Sequence, residues 1–270
     1  MMRGMPASVT ALLLLGFFPV SVAAQRGATD GEWRHYGGGL GNTKYASLDQ
    51  VDADNFDRLA IAWSWTTADE HLTRSNDQGS WRGPAGAVLD ALTEEEPDRW
   101  VTRPRISGLT ATPLMVDGML YISTALSQAA AIDAVTGKTL WVYDPRSYES
   151  GTPGIPPWRH RGVAFWSDGD QSRVLWATSD YHLIAVDAKT GEPDRQFGTD
   201  GRVDLMVGLP RATRGVRDLQ NLVPVYSQSP PIIVRDTVIV GSSINDYTIT
   251  KEMPPGWVRA YDVRTGEHKW

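Results

Sequence analysis

From Thr112 onward, short apolar runs recur, each broken by turn residues. Pro113–Val116, the pair Asp117-Gly118 and Met119–Ser123 predict a β-hairpin closed by an Asp-Gly turn. Gln128–Asp133 and Thr139–Tyr143 add two strands and complete an antiparallel four-stranded unit. The same order returns in Gly162–Trp166, Arg173–Thr178 and Tyr181–Asp187, then in Pro231–Val234, Thr237–Gly241 and Trp257–Asp262. Upstream, Leu59–Trp65 alternates as a strand and ends Trp63-Ser64-Trp65, much as the first unit ends Trp141-Val142-Tyr143. It predicts the outer strand of a blade whose other strands lie elsewhere. Asp54–Leu59 predicts one helical turn. Residues 66–106 are the least patterned; Ala85–Glu95 is a candidate surface helix within them.

One pattern punctuates the strands. Ala-x-Asp-x-x-Thr-Gly occurs at 131–137, 185–191 and 260–266, and Trp stands four residues after the Gly in two copies, as Trp141 and Trp270. The Asp suits a turn because its carboxylate accepts from following backbone N–H groups, and Gly accepts a positive φ. Each copy therefore predicts strand, tight turn, strand and a large apolar plate. Four-stranded units in series predict an all-β chain folded as a β-propeller. Blade repeats fall at about 107–144, 161–198 and 227–270 within a domain at 25–270. Three units and a partial one do not close a ring, and the sequence stops on Trp270 within a strand. The expectation is an N-terminal part of a longer propeller.

Composition sharpens this picture. Eleven Trp, 26 Gly and 17 Pro in 270 residues favour a turn-rich β chain. A net charge of −6 without a long basic run excludes a nucleic-acid partner from the expectation. There is no Cys, so neither a disulfide nor a thiolate metal site can form. Met1-Met2-Arg3, the apolar stretch Ala11–Val22 and small residues at Val22 and Ala24 predict a cleaved signal peptide at 1–24 and a periplasmic chain with no stable membrane span. The five His residues, 35, 71, 160, 182 and 268, show no metal-ligand spacing. Gly37-Gly38-Gly39-x-Gly41 lacks the strand-then-helix context of a phosphate loop.

In combination, these motifs resemble the pyrroloquinoline-quinone (PQQ) dependent dehydrogenases. The repeat is similar to that family's tryptophan-docking motif. Trp33-Arg34-His35-Tyr36-Gly37-Gly38, Thr112–Gly118, Arg161–Trp166, Phe197–Leu205 and Ser229-Pro230-Pro231 with Val240–Ser243 resemble its other signatures. The resemblance covers residues 31–270 and implies about three blades of an eight-bladed propeller, with PQQ and Ca²⁺ on its axis. It implies oxidation of a small alcohol or sugar, with a quinone or cytochrome as electron acceptor. It also implies cofactor contacts at Arg161 and Ser243 and calcium ligation at Asp246, with Asn245 beside it. Thr110 and Gln228 stand at two further cofactor-contact positions, where relatives carry Glu or Gln, and Thr or Ser. The Cys-free stretch Gly241–Tyr247 is similar to the glucose-dehydrogenase-like branch, but Leu126 stands where that branch has His. The family's catalytic aspartate would lie beyond Trp270, so no catalytic residue is expected here. A cofactor-free propeller scaffold of the outer-membrane-assembly type is the alternative. The Arg161 segment, the Gly-Ser-Ser…Asp segment and the long inserts argue against it.

Overall fold

The computed structural model describes residues 28, 31–39, 41–73, 108–150, 158–212, 225–244 and 251–270. The expected signal peptide, the candidate helix at 85–95 and both calcium positions, Asn245 and Asp246, lie outside these residues. A 3-10 turn at Phe56–Arg58 sits where a helical turn is expected, and a short helix α1 spans Glu70–Thr73.

Three blade sheets follow in series, with a separate two-stranded sheet beside the third. The first is β1 (Leu114–Val116), β2 (Met119–Ser123), β3 (Ala129–Asp133) and β4 (Thr139–Tyr143), in sequential antiparallel order. The second is β5 (Ala164–Ser167), β6 (Ser172–Ala177), β7 (His182–Asp187) and β8 (Arg202–Asp204). A two-residue strand β9 (Val225–Tyr226) precedes the third sheet, in which β10 (Ile232–Val234) pairs with β11 (Thr237–Val240). A short β12 (Ser243–Ile244) then pairs back onto β9, and β13 (Arg259–Asp262) joins β11. The expected fourth strand of this unit is reduced to a single bridge, Tyr261 to His268. Leu59–Trp65 forms no strand among the described residues, since a ladder needs a partner and none is present there.

The repeat turns behave as their residues dictate. Oδ1 of Asp133 accepts from the backbone N of Val135 at 3.1 Å and of Thr136 at 2.7 Å, and from the Thr136 hydroxyl at 2.7 Å. Those bonds, the Thr136 hydroxyl first, hold the Asp133 carboxyl below the usual range. Asp187 and Asp262 repeat the arrangement. The closing glycines sit at φ 72°, 74° and 73°.

Trp63 and Trp141 each dock on the turn of the unit that follows. Trp141 donates Nε1–H to the carbonyl of Ala188 at 2.9 Å and covers Gly191, where a Cβ would lie 2.6 Å from the indole. Trp63 does the same to the first sheet, bonding the carbonyl of Ala134 at 3.1 Å and covering Gly137. Trp65 adds a bond to the Thr139 hydroxyl. The segment at 59–65 thus docks as an outer strand would, although it carries no ladder. The second repeat has no Trp, and Val203 takes over: a Cβ on Gly266 would lie 2.6 Å from its Cγ2.

The core lies between the sheets. Tyr121, Ala129, Ala131 and Trp141 pack on Val174, Trp176, Ile184 and Val186. Leu175, Leu183, Ala185 and Phe197 pack on Val238, Val240 and Tyr261. Buried Arg173 links the second and third units by donating to the carbonyl of Val263 at 2.7 Å.

Gly191→Ala combines backbone strain with a collision, so it should cost about 2–4 kcal/mol of stability. Gly118→Ala, at φ 78° with open space around it, should cost only about 1 kcal/mol. Urea unfolding of both variants measures the difference, and equal costs would remove the indole's role.

Candidate cofactor site

The starts of the inner strands β1, β5 and β10 meet at the end of the sheets opposite the repeat turns. Thr112 N–H donates to the carbonyl of Arg161 at 3.0 Å, and Arg161 N–H donates to the carbonyl of Gln228 at 2.9 Å. Three chain segments from three successive units are thereby tied side by side. Gly162 makes the close approach feasible: at φ 145°, a Cβ there would lie 3.1 Å from the carbonyl oxygen of Thr112.

This lateral bonding brings together three of the six candidate site residues, Thr110, Arg161 and Gln228. Arg161 is exposed, and its guanidinium makes no hydrogen bond or ion pair among the described residues. It lines a cavity of about 630 Å³ with Arg34, Phe165, Pro230 and Ile233. Arg34 is neutralised there by Glu32 at 3.0 Å and Asp117 at 3.1 Å, which leaves Arg161 as the unbalanced cation of the lining among the described residues. The Nε2 of Gln228 is buried and has no partner. The Thr110 hydroxyl donates to the carbonyl of His160 at 3.0 Å, so its one proton is committed and only its lone pairs remain on offer. Ser243 is exposed in β12, paired with Tyr226 shortly before Gln228. Asn245 and Asp246 lie outside the described residues, among which no group of three or more His, Asp or Glu residues could hold a metal. A free guanidinium and an unpartnered amide donor suit an acceptor-rich, anionic ligand such as a quinone bearing carboxylates.

Two residues to which the sequence assigns no role support this end of the fold. His160, 1% exposed, has Nε2 2.7 Å from the carbonyl of Ala177 and Nδ1 2.7 Å from the Ser123 hydroxyl. A carbonyl only accepts, so Nε2 carries the proton and Nδ1 accepts. Burial pushes its pKa down to about 4. Asp69, in the insert that also contains α1, accepts from Thr124 Oγ1 at 2.6 Å, Gln128 Nε2 at 2.7 Å and the N–H of Leu126 at 3.2 Å. Burial still raises its pKa, against those bonds. Leu126 is fully buried in this cluster. No signal short of the tertiary contacts marks either residue, since a lone His before Arg and a lone Asp in a polar insert are ordinary.

Comparison with known proteins identifies the architecture. Residues 33–270 match the family described as PQQ: glucose/ethanol/alcohol dehydrogenase, β-propeller domain. The chain belongs to this PQQ dehydrogenase propeller family. It is 30% identical over 254 residues to the quinoprotein glucose dehydrogenase of Gluconobacter oxydans, covering 88% of this chain and 27% of that protein. It is 30% identical over 261 residues to the quinate/shikimate dehydrogenase (quinone) of Acinetobacter baylyi, again covering 88% of this chain and 27% of the relative. The crystal structure of quinohemoprotein alcohol dehydrogenase from Comamonas testosteroni superposes with a TM-score of 0.60 at 27% identity, covering 88% of this chain and 26% of that one. The PQQ-family chain thus spans about a quarter of the length of these relatives.

The His160 pKa has a consequence for stability. The unfolded ring takes up a proton near pH 6.5 and the native ring only near pH 4, so protonation favours unfolding between these values. A contribution of about 3 kcal/mol, full above pH 6.5, should be lost as pH falls toward 4. Asp69, with its raised pKa, acts in the opposite sense. Unfolding curves of the parent and His160→Gln at pH 7 and 4.5 isolate the effect: the parent should lose more stability on acidification than the variant.

Proposed function

We propose that this chain is part of a PQQ-dependent dehydrogenase that oxidises a small alcohol or an aldose in the periplasm and passes electrons to a quinone or cytochrome. The observation that carries it is the unbalanced Arg161 guanidinium facing a cavity beside the orphaned Gln228 amide, in a chain of this family. Relatives named for glucose, quinate or shikimate, and alcohol all act on substrates with a hydroxyl-bearing carbon. The alternative scaffold role needs neither a free cation lining a cavity nor an orphaned donor one residue before that lining.

In this reading Arg161 holds a carboxylate or quinone oxygen of PQQ, with two parallel N–H donors available for it. Gln228 Nε2 donates a further bond, and the Ser243 hydroxyl is exposed on β12, which pairs with Tyr226 two residues before Gln228. Thr110, its proton committed, meets the cofactor only as an acceptor. Asp246 and Asn245 supply hard oxygens for Ca²⁺. When bound, PQQ supplies a two-electron acceptor for the carbon bearing the substrate hydroxyl. The chain's own residues bind and orient. Leu126, fully buried, offers no polar group to a sugar.

Full-length protein supplied with PQQ and Ca²⁺ should reduce a redox dye when given an alcohol or an aldose. Absence of reduction with a broad panel of both would overturn the activity. Arg161→Ala should weaken PQQ binding about 10- to 100-fold, the worth of a charged hydrogen-bonded contact. Titration by quenching of Trp fluorescence reads this, and unchanged affinity removes Arg161 from the site. Gln228→Leu removes an unsatisfied buried donor, so stability should hold or rise by about 1 kcal/mol while PQQ affinity falls. Chelation of Ca²⁺ should lower PQQ affinity in the same titration.

A further inference from the structure

We propose that His160 is the positioning residue that presents Arg161 to the axial cavity. The inference rests on the reading of that cavity as the PQQ site. Arg161 has an exposed side chain with no partner among the described residues, so its backbone alone fixes where the side chain leaves the fold. That backbone is tied on both sides, by the bonds to Thr112 and Gln228. The residue before it supplies the polar side-chain anchor. The His160 ring spans Ser123 and Ala177, which are the last residues of β2 and β6, equivalent strands of successive sheets. One imidazole therefore joins two units at the level where Arg161 leaves the chain. Its own carbonyl takes the Thr110 hydroxyl, and Gly162 N–H reaches back to Nδ1 at 3.4 Å. An imidazole suits the task because its ring nitrogens point in opposed, rigid directions, and burial keeps it neutral near pH 7.

The ring does not line the cavity, so its effect on a ligand passes through the residues it anchors, and the inference is that Arg161 carries it. That distinguishes positioning from contact, and a double-mutant cycle measures it. The full chain is titrated with PQQ in the presence of Ca²⁺, with Trp fluorescence as the signal and urea unfolding as the check on folding. His160→Gln, which keeps an amide N–H for Ala177, should bind PQQ within about threefold of the parent. His160→Phe fills the ring volume without either bond and should bind about tenfold more weakly. Combined with Arg161→Ala, it should bind no more weakly than Arg161→Ala alone. Parent-like binding by His160→Phe, or losses that multiply in the double variant, would overturn the positioning role. Should His160→Phe not fold, Ser123→Ala, which removes only the hydroxyl donor to Nδ1, takes its place, and its smaller loss should likewise vanish in the Arg161→Ala background. If Arg161→Ala itself binds PQQ like the parent, the cofactor reading fails, and the inference fails with it.

Discussion

The fold depends on an indole lying flat on a glycine. A turn that ends Thr-Gly exposes a patch of bare backbone, and a Trp from the neighbouring unit covers it while giving its N–H to a carbonyl of the same turn. The contact excludes any side chain at Gly137 and Gly191. It fixes the spacing between sheets and the angle at which one follows another. The buried layers between the sheets then only need to fill the gap so defined, with small residues such as Ala129 and Ala131 set against large ones such as Trp176.

What could be read in the sequence follows the range of each interaction. The repeat turns are local: Asp133, Thr136 and Gly137 satisfy one another within five residues, so their spacing alone announces them. Strands inside the sheets are nearly as legible, because turn residues bracket them. The destination of each Trp is not local. Trp141 follows its own turn by four residues yet serves the turn at Gly191, and nothing in the repeat says so. Nor does the repeat show that Val203 replaces the missing indole against Gly266. Leu59–Trp65 has the alternation of a strand, but pairing needs a second strand, and its two indoles dock without one.

The site divides in the same way. Arg161, Gln228 and Thr110 are marked by resemblance, and the structure brings them together through two backbone bonds that no motif encodes. Thr110 shows how a substitution changes chemistry without changing polarity. A Glu or Gln would carry its polar group further from the backbone, whereas the short hydroxyl donates to the His160 carbonyl. His160 drew no role from the sequence because a histidine is ordinarily sought as a ligand or a base. Here burial has removed both options by keeping the ring neutral with both nitrogens engaged.

The docking of each indole on the following turn gives the molecule a direction and makes it a one-dimensional array. The segment at 59–65 and the first unit each give a plate to the turn that follows, and the second unit gives Val203 instead. In such an array, stability is close to a sum of unit terms and seam terms. The seam between the second and third units, closed by Val203 in place of an indole, is built from different material and has its own strength. The array therefore has a grain, along which cooperativity is transmitted unevenly, and its weakest joint decides how far a local opening spreads.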